Sequence, residues 1–437
     1  LSERAKKLRI LWFTHLPADA VNRHFGRPTT GTGFWIHSLV QPLVDSGQVE
    51  LAIATATAGA PAFHFRDGAV EYFNVPQHKF LEVYNVLPRW RLSRYLEQCA
   101  RIVREFKPDI VHVHGTERFF GLLRARGLID VPTVVSIQGV MRQFQHWSWG
   151  SMSRWDGVRL MNFWEIARRA TMAADAAHVA RIAAAEEEIL RGVDAVIGRT
   201  AWDQANARDV NPNVHYFHID EMMRPEFWAA EPWSIDDVRP GTIFTTSSTA
   251  PRKGLPVLIR ALSILRRWGH DARLKIAGLS RNEDRRSSAK FVFELIDRLA
   301  LDEFIEPMGW VNATGLIGHM RQSCCFAQPS YAENSSNAIS EAQLMGMPCI
   351  GAHSGGTPTL VEDEKTGLLF SRGDEVMLAA QIERLLTDSA LANRIGAAGR
   401  VTAQRRHDPG QIVAAHLECY RQLAANPALT STASRDG

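Results

Sequence analysis

In the stretch YAENSSNAISEAQLMGMP, residues 331–348, two carboxylates, Glu333 and Glu341, stand eight positions apart around a run of small polar residues. The preceding CCFAQPS reads as a buried strand ended by Pro329 and Ser330. Helical spacing then resumes with Ala338, Ile339, Ala342 and Met345 until Gly346 and Pro348 stop it. Glu333 therefore belongs to the loop at the strand's carboxyl end, the edge at which open α/β sheets bind ligands. Asn337 and Glu341 are four apart and share a helix face. Ser335 and Ser336 can cap that helix and offer its unpaired N–H groups to an anion. An anion site flanked by two acids suits a sugar bearing a phosphate, since each charge-assisted bond from a hydroxyl to a carboxylate contributes about 1.5–3 kcal/mol. Singly, each acid reads as an ordinary solvated residue; their company changes that reading.

The elements that must hold these residues recur along the chain. LRILWF, VELAIATA, DIVHVHG, PTVVSIQG and DAVIG in the first half, then GTIFTT, ARLKIAG, CCFAQPS and PCIGA, are short apolar runs between amphipathic segments. That alternation predicts α/β architecture with two doubly wound parallel sheets. At 437 residues the chain exceeds one ordinary core. The break is expected within residues 225–240, where PEFWAAEPWSIDDVRPG interrupts periodicity, which gives a first domain of residues 1–235 and a second of 236–404. An Ala-rich helix is expected over about residues 160–191, and the polar tail 426–437 reads as disordered.

The bulk numbers exclude several classes of function. Lys and Arg total 50 against 47 Asp and Glu, a net charge of +3, too balanced for a nucleic-acid partner whose affinity rests on phosphate neutralisation. Five cysteines without C-x-x-C spacing, Cys324 and Cys325 among them, read as reduced core thiols of a cytoplasmic chain. The opening LSERAKKLRILWFTHLP is too short in its apolar run for a signal peptide and fits a first strand. No run approaches a membrane span, so the protein is expected to be soluble or peripheral.

The pair Glu333/Glu341, followed by GMPCIGAHSGGTPTLVEDEKTGLLF, resembles the donor half of retaining glycosyltransferases of family four, in the glycogen-synthase-like superfamily with the GT-B fold. GTGFWIHSLVQPLVDSG, KPDIVHVHG and PRKGLPVLIRAL line up with the family's other motifs in order. VIGRTAWDQAN and ENSSNAISEAQLMGMP further resemble a bacterial subgroup that builds surface polysaccharides. The resemblance implies two Rossmann-like domains facing across a cleft, with a C-terminal crossover helix, residues 405–425, returning to the first. It implies that Glu333 contacts the donor sugar, Glu341 the nucleotide ribose and Lys253 the diphosphate. A fixed cation at a leaving diphosphate stabilises the transition state more than the substrate, and Lys253 follows the strand TIFTT and opens a helix, as an anion site requires.

Two residues depart from the family pattern. Ser248 stands where a basic residue is usual; Arg252 either substitutes for it or is a solvated surface arginine. Gln138 stands where many relatives have a histidine facing the sugar, and a glutamine orients a hydroxyl without taking a proton. Transfer in this family is thought to occur at the donor's front face, the leaving phosphate oxygen drawing the acceptor's proton, which is compatible with Gln138. The sequence has no Asp-x-Asp motif, so no metal is expected, and the resemblance implies a nucleoside-diphosphate sugar donor of UDP or GDP type and no further cofactor.

In the first half Gly31 and Gly33 let the backbone approach the donor, or form a plain surface turn. Arg199 is a candidate for the donor phosphates, with a buried structural role as its competitor. His112 and His114 point to one side of a strand; no third metal ligand of suitable spacing accompanies them, and His114 at the strand end is a candidate for the acceptor side. In QGVMRQFQHWSWGSMSRWDGVRLMNFW, Trp147, Trp149, Trp155 and Trp164 mix with Arg142, Arg154 and Arg159. Trp147 and Arg142 are thus expected on the acceptor side, facing a saccharide, a lipid-linked saccharide or a membrane surface, unless the tryptophans only pack a long loop. Competing readings are a sugar-nucleotide epimerase or phosphorylase, and an inactive relative that either binds nucleotide sugars or scaffolds a polysaccharide assembly, which Ser248 and Gln138 keep in play.

Overall fold

A computed structural model describes residues 6–15, 19–26, 33–58, 61–77, 89–281 and 284–425. Gly31 and the tail 426–437 lie outside them. The chain forms two compact units, one of Leu1–Arg142, His178–Met222 and His407–Gly437, the other of Gln143–Ala177 and Met223–Arg406.

The first unit carries an eight-stranded sheet of β1 (Leu8–Thr14), β2 (Val49–Ala58), β3 (His64–Asp67), β4 (Val70–Gln77), β5 (Ile110–His114), β6 (Thr133–Ser136), β7 (Ala195–Gly198) and β8 (His215–His218). Its order is β3-β4-β2-β1-β5-β6-β7-β8, parallel except for the β3/β4 pair. Its central strands are buried on both faces, which is why they appear in the sequence as short, mostly apolar runs. Helix Pro409–Ala425 packs into this core through Ile412, Leu417, Cys419 and Tyr420. The Tyr420 hydroxyl meets Trp12 Nε1 at 3.1 Å and His112 Nδ1 at 2.8 Å.

The second unit carries a six-stranded parallel sheet of β9 (Thr242–Thr245), β10 (Arg273–Ile276), β11 (Ile305–Pro307), β12 (Cys325–Gln328), β13 (Cys349–His353) and β14 (Leu368–Ser371), in the order β11-β10-β9-β12-β13-β14. The strand order reverses between β9 and β12, whose partners β10 and β13 lie on opposite sides. That reversal marks the switch point at which such sheets open a ligand crevice.

Three expectations about segment boundaries differ from the structure, the first being the break itself, since residues 223–235 belong to the second unit. Residues 143–177, assigned to the first domain by sequence, pack with the second unit. The cause is a set of specific contacts: Trp147 stacks on Tyr331 at 5.4 Å, and the Glu165 carboxylate accepts bonds from Ser287 N and Oγ at 2.8 and 3.0 Å. The Ala-rich helix is broken into Arg154–Arg159, Phe163–Ala167 and Met172–Gly192. Ser153 and Asn162 each begin a new helix with a capping box, and Arg169 adopts a left-handed φ of 50° that ends the second piece. All five cysteines are free and buried.

Candidate active site

The loops after β9 and β12 bring Lys253 and Glu333 together at the switch point of the second sheet. Lys253 ends the 3-10 turn Pro251–Lys253, and Gly254 then opens helix Leu255–Arg267 at φ 68°. A side chain on Gly254 would put its Cβ 2.0 Å from the Pro329 carbonyl, so only glycine lets the Lys253 turn lie against the end of β12. On the other loop, the Glu333 carbonyl accepts from Gly356 N at 2.9 Å, and a Cβ on Gly355 would lie 2.0 Å from it. The Gly-Gly pair in SGGTP thus fixes the backbone that carries the acid.

Lys253 Nζ donates to Glu333 Oε2 at 2.5 Å, and the same oxygen accepts from Gln328 Nε2 at 3.1 Å and Ser330 Oγ at 3.3 Å. Burial drives the Glu333 pKa upward, but the charges of Lys253 and Arg252 and the hydrogen bonds from Lys253 and Ser330 outweigh it and hold the carboxyl below its ordinary value. Lys253 is itself lowered by burial, with Glu333 opposing. The site therefore holds a charged acid and a lysine whose side chain is about one quarter exposed (27%). A lysine held on a carboxylate at the switch point of a parallel sheet is a charge that an incoming anion can recruit.

Arg252 is not a solvated surface arginine. Its guanidinium lies 4.6 Å over the Phe144 ring and donates to the Ala332 carbonyl at 3.5 Å, one residue from Glu333. Ser248 is half-buried and its Oγ accepts from Ala250 N at 3.4 Å, a turn contact within the same loop. Ser336 caps helix Asn337–Met345, accepting from Ile339 N at 3.3 Å and donating to Gln328 Oε1 at 2.5 Å. Ser335 is half-buried beside it, and Asn337 Oδ1 is buried with no hydrogen-bond partner among the described residues.

Glu341 sits one turn into this helix, 3% exposed, and Arg224 grips it through Nε and Nη2 at 2.7 Å each. Burial raises the Glu341 pKa, and Arg224 offsets only part of that. The fork uses one lone pair on each oxygen and leaves the others for a vicinal diol. Sequence reasoning missed Arg224, Gln328 and Ser330. Gln328 and Ser330 lie within five residues of Glu333 on the strand end already singled out, whereas Arg224 is 117 residues from its partner.

The other sequence candidates lie in the first unit, except Trp147, which belongs to the second. Arg199 is 4% exposed in the first unit, paired with Glu221 at 2.6 Å and bonded to the Ile137 carbonyl at 3.0 Å, which fits the buried structural role set against a phosphate contact in the sequence. Arg142 is likewise engaged, with Asp209 at 2.7 Å. Trp147, expected on the acceptor side of the first domain, packs in the second unit against Tyr331 and against the Arg372 guanidinium, 3.9 Å away. His114 is 5% exposed; burial holds it well below the ordinary imidazole pKa, and it stacks on His112 at 4.0 Å. His112 is satisfied by Tyr420 and by Ser136 Oγ at 2.7 Å, which removes it as a metal ligand. Gln138 is half-buried in the loop after β6, beside Gly115 and Glu117. Gly33 opens helix Phe34–Asp45 at φ 79°.

The two sheets and this site define a GT-B type architecture, and comparison with solved structures agrees. Sucrose-phosphate synthase from Thermosynechococcus elongatus superposes with a TM-score of 0.70 at 17% identity, covering 96% of this chain and 100% of that one. HepE of Anabaena in complex with UDP-glucose gives 0.63 at 18% identity, covering 94% and 100%. Two family models match: "Glycosyl transferase 4-like domain" over residues 30–217 and "Glycosyl transferases group 1" over residues 239–388, together more than half the chain. The chain belongs to glycosyltransferase family four. Among curated relatives, a GDP-mannose-dependent alpha-(1-6)-phosphatidylinositol monomannoside mannosyltransferase of Mycobacterium tuberculosis is 31% identical over 180 residues, 38% of this chain and 44% of the relative. The capsular polysaccharide biosynthesis glycosyltransferase CapM of Staphylococcus aureus is 24% identical over 168 residues, 38% and 42%. The chain spans less than half the length of these two relatives.

Proposed function

We propose that this protein transfers a glycosyl group, with retained configuration and without a metal, from a nucleoside-diphosphate sugar to a hydroxyl of a saccharide or lipid-linked saccharide, in surface polysaccharide or glycan synthesis. The observation that carries the reading is the convergence of Lys253, Arg252, Glu333 and the Ser336-capped helix at one switch point, with Glu341 one turn away. Lys253 leaves Glu333 for the donor diphosphate, and its charge counters that of the departing phosphate, where fixed cations act most strongly. Glu333, already anchored by Gln328 and Ser330, then accepts from a sugar hydroxyl. Glu341, held by Arg224, accepts the ribose diol on its remaining lone pairs. The bond from the anomeric carbon to the phosphate oxygen breaks, that oxygen takes the acceptor's proton, and the new glycosidic bond forms on the same face.

The relatives named for GDP-mannose and the neighbour bound to UDP-glucose support a UDP or GDP donor. A relative named for a phosphatidylinositol monomannoside supports a lipid-linked acceptor, and we place the protein at the inner membrane face to meet it. Thermal-shift screening of UDP, GDP, ADP and their sugars tests the donor: a ligand at about one hundred times its dissociation constant raises stability by about 2.7 kcal/mol. Release of free nucleoside diphosphate that depends on added acceptor then separates a transferase from an epimerase. If no nucleotide shifts the transition, the donor reading fails, and of the inactive alternatives only a scaffold that binds no nucleotide sugar is left.

A further inference from the structure

The segment Gln143–Ala177 carries a surface that the donor site does not use. Phe163, Trp164 and Ile166 are 73%, 58% and 55% exposed, and on the preceding helix Trp155 and Val158 are 70% and 58% exposed. Five of the eleven exposed large hydrophobic side chains among the described residues thus fall within twelve consecutive positions. This exposure is not looseness of the chain. Asn162 and Glu165 form a capping box, and Glu165 is buried against Ser287 N and Oγ, so polar bonds pin the inner side of the turn while its apolar side faces outward. A cavity of about 740 Å³ opens beside it, lined by Asn162, Trp164, Arg168, Ser280, Arg285 and Arg286. Its acids are already engaged, Glu165 by Ser287 and Asp284 by Arg286 at 2.7 Å. Arg154, Arg168 and Arg285 are exposed and form no ion pair among the described residues.

We propose that this surface docks the protein on an anionic lipid bilayer, with Trp155, Val158, Phe163, Trp164 and Ile166 entering the interface and a headgroup phosphate seated in the cavity beside Arg168 and Arg285. The proposal deepens the lipid-linked acceptor reading and rests on it for its purpose. Aromatic side chains sit favourably at the headgroup level, and basic side chains around them add attraction to anionic lipid. A second copy of the chain is the weaker occupant, because a self-complementary contact would set the same unpaired arginines against one another.

The test is co-sedimentation of the full chain with vesicles of phosphatidylcholine containing about one third phosphatidylglycerol, and with pure phosphatidylcholine. The protein is expected to pellet with the anionic vesicles, to remain in solution with the neutral ones, and to be released by salt. Arg168→Gln with Arg285→Gln is expected to weaken partition about 25-fold, about fivefold for each charge at about 1 kcal/mol. Phe163→Ser with Trp164→Ser is expected to release the protein as well, with nucleotide-induced thermal shifts unchanged in both variants. Wild-type protein that stays in the supernatant, or variants that pellet equally well, would overturn the docking, as would a dimer that the aromatic variants dissolve without any vesicle binding. Transfer to a soluble acceptor without vesicle binding sinks the docking alone; vesicle binding without transfer sinks the proposed function alone.

Discussion

Replacing Arg224 by methionine leaves Glu341 as a buried carboxylate without its fork. The two side chains are 17% and 3% exposed and share two bonds of 2.7 Å. Removing one partner of such a pair costs about 3–5 kcal/mol while the other remains charged. The variant has an escape, since Glu341 can take a proton. Its pKa is already raised by burial in the wild type, and loss of Arg224 raises it further. An acid whose folded pKa exceeds its unfolded value binds more protons folded than unfolded, so stability falls as pH rises through that interval. The loss in Arg224→Met is therefore expected to be small at about pH 5 and to approach the full cost at about pH 8. Guanidinium unfolding followed by tryptophan fluorescence at both pH values measures it, with Trp233, buried in the second unit, as a reporter. Adding Glu341→Gln to the variant is expected to recover most of the loss at the higher pH, because a neutral amide has no charge to strand. Equal losses at the two pH values, with no recovery in the double variant, would refute the reasoning.

Lys253→Met is expected to weaken binding of the nucleoside diphosphate about 10- to 150-fold, the equivalent of one charge-assisted bond, while leaving the affinity for the bare nucleoside unchanged in calorimetry. Burial raises the Glu117 carboxyl to about 7, so wild-type stability falls as pH rises from 4.5 to that value. Glu117→Gln is expected to remove that decline and gain up to about 3 kcal/mol over wild type between the two limits, read from denaturant midpoints. EDTA is expected to leave turnover unchanged, and restoration of a lost activity by Mg2+ or Mn2+ would contradict the metal-free reading.

The double sheet was legible because buried parallel strands must be apolar on both faces, and β1, β5, β9, β12 and β13 all appear as such runs. The β3/β4 hairpin, β8 and β11 were not. They lie toward sheet edges, and β3, β8 and β11 are partly or largely exposed and carry charged, polar or histidine side chains that break the pattern. At the site, Lys253, Glu333 and Ser336 could be placed from local spacing, since each lies at a strand end or a helix start. The fork from Arg224 to Glu341 could not, because it joins residues 117 apart and depends on tertiary packing. The same limit applied to residues 143–177, whose tryptophans advertise burial or a surface without saying which. The structure divides them, Trp147 going into a stack on Tyr331 while Trp155 and Trp164 face solvent.

The most direct test measures turnover and nucleoside-diphosphate affinity together in wild type, Glu333→Gln and Glu341→Gln. Glu333→Gln is expected to lose at least about a hundredfold in turnover while holding nucleotide affinity nearly constant, because its contact is made to the sugar and tightens toward the transition state. Glu341→Gln is expected to lose affinity for the ribonucleotide but not for its 2′,3′-dideoxy counterpart. Unchanged turnover in the first variant, or equal losses for both nucleotides in the second, would contradict the placement of the donor at these two acids.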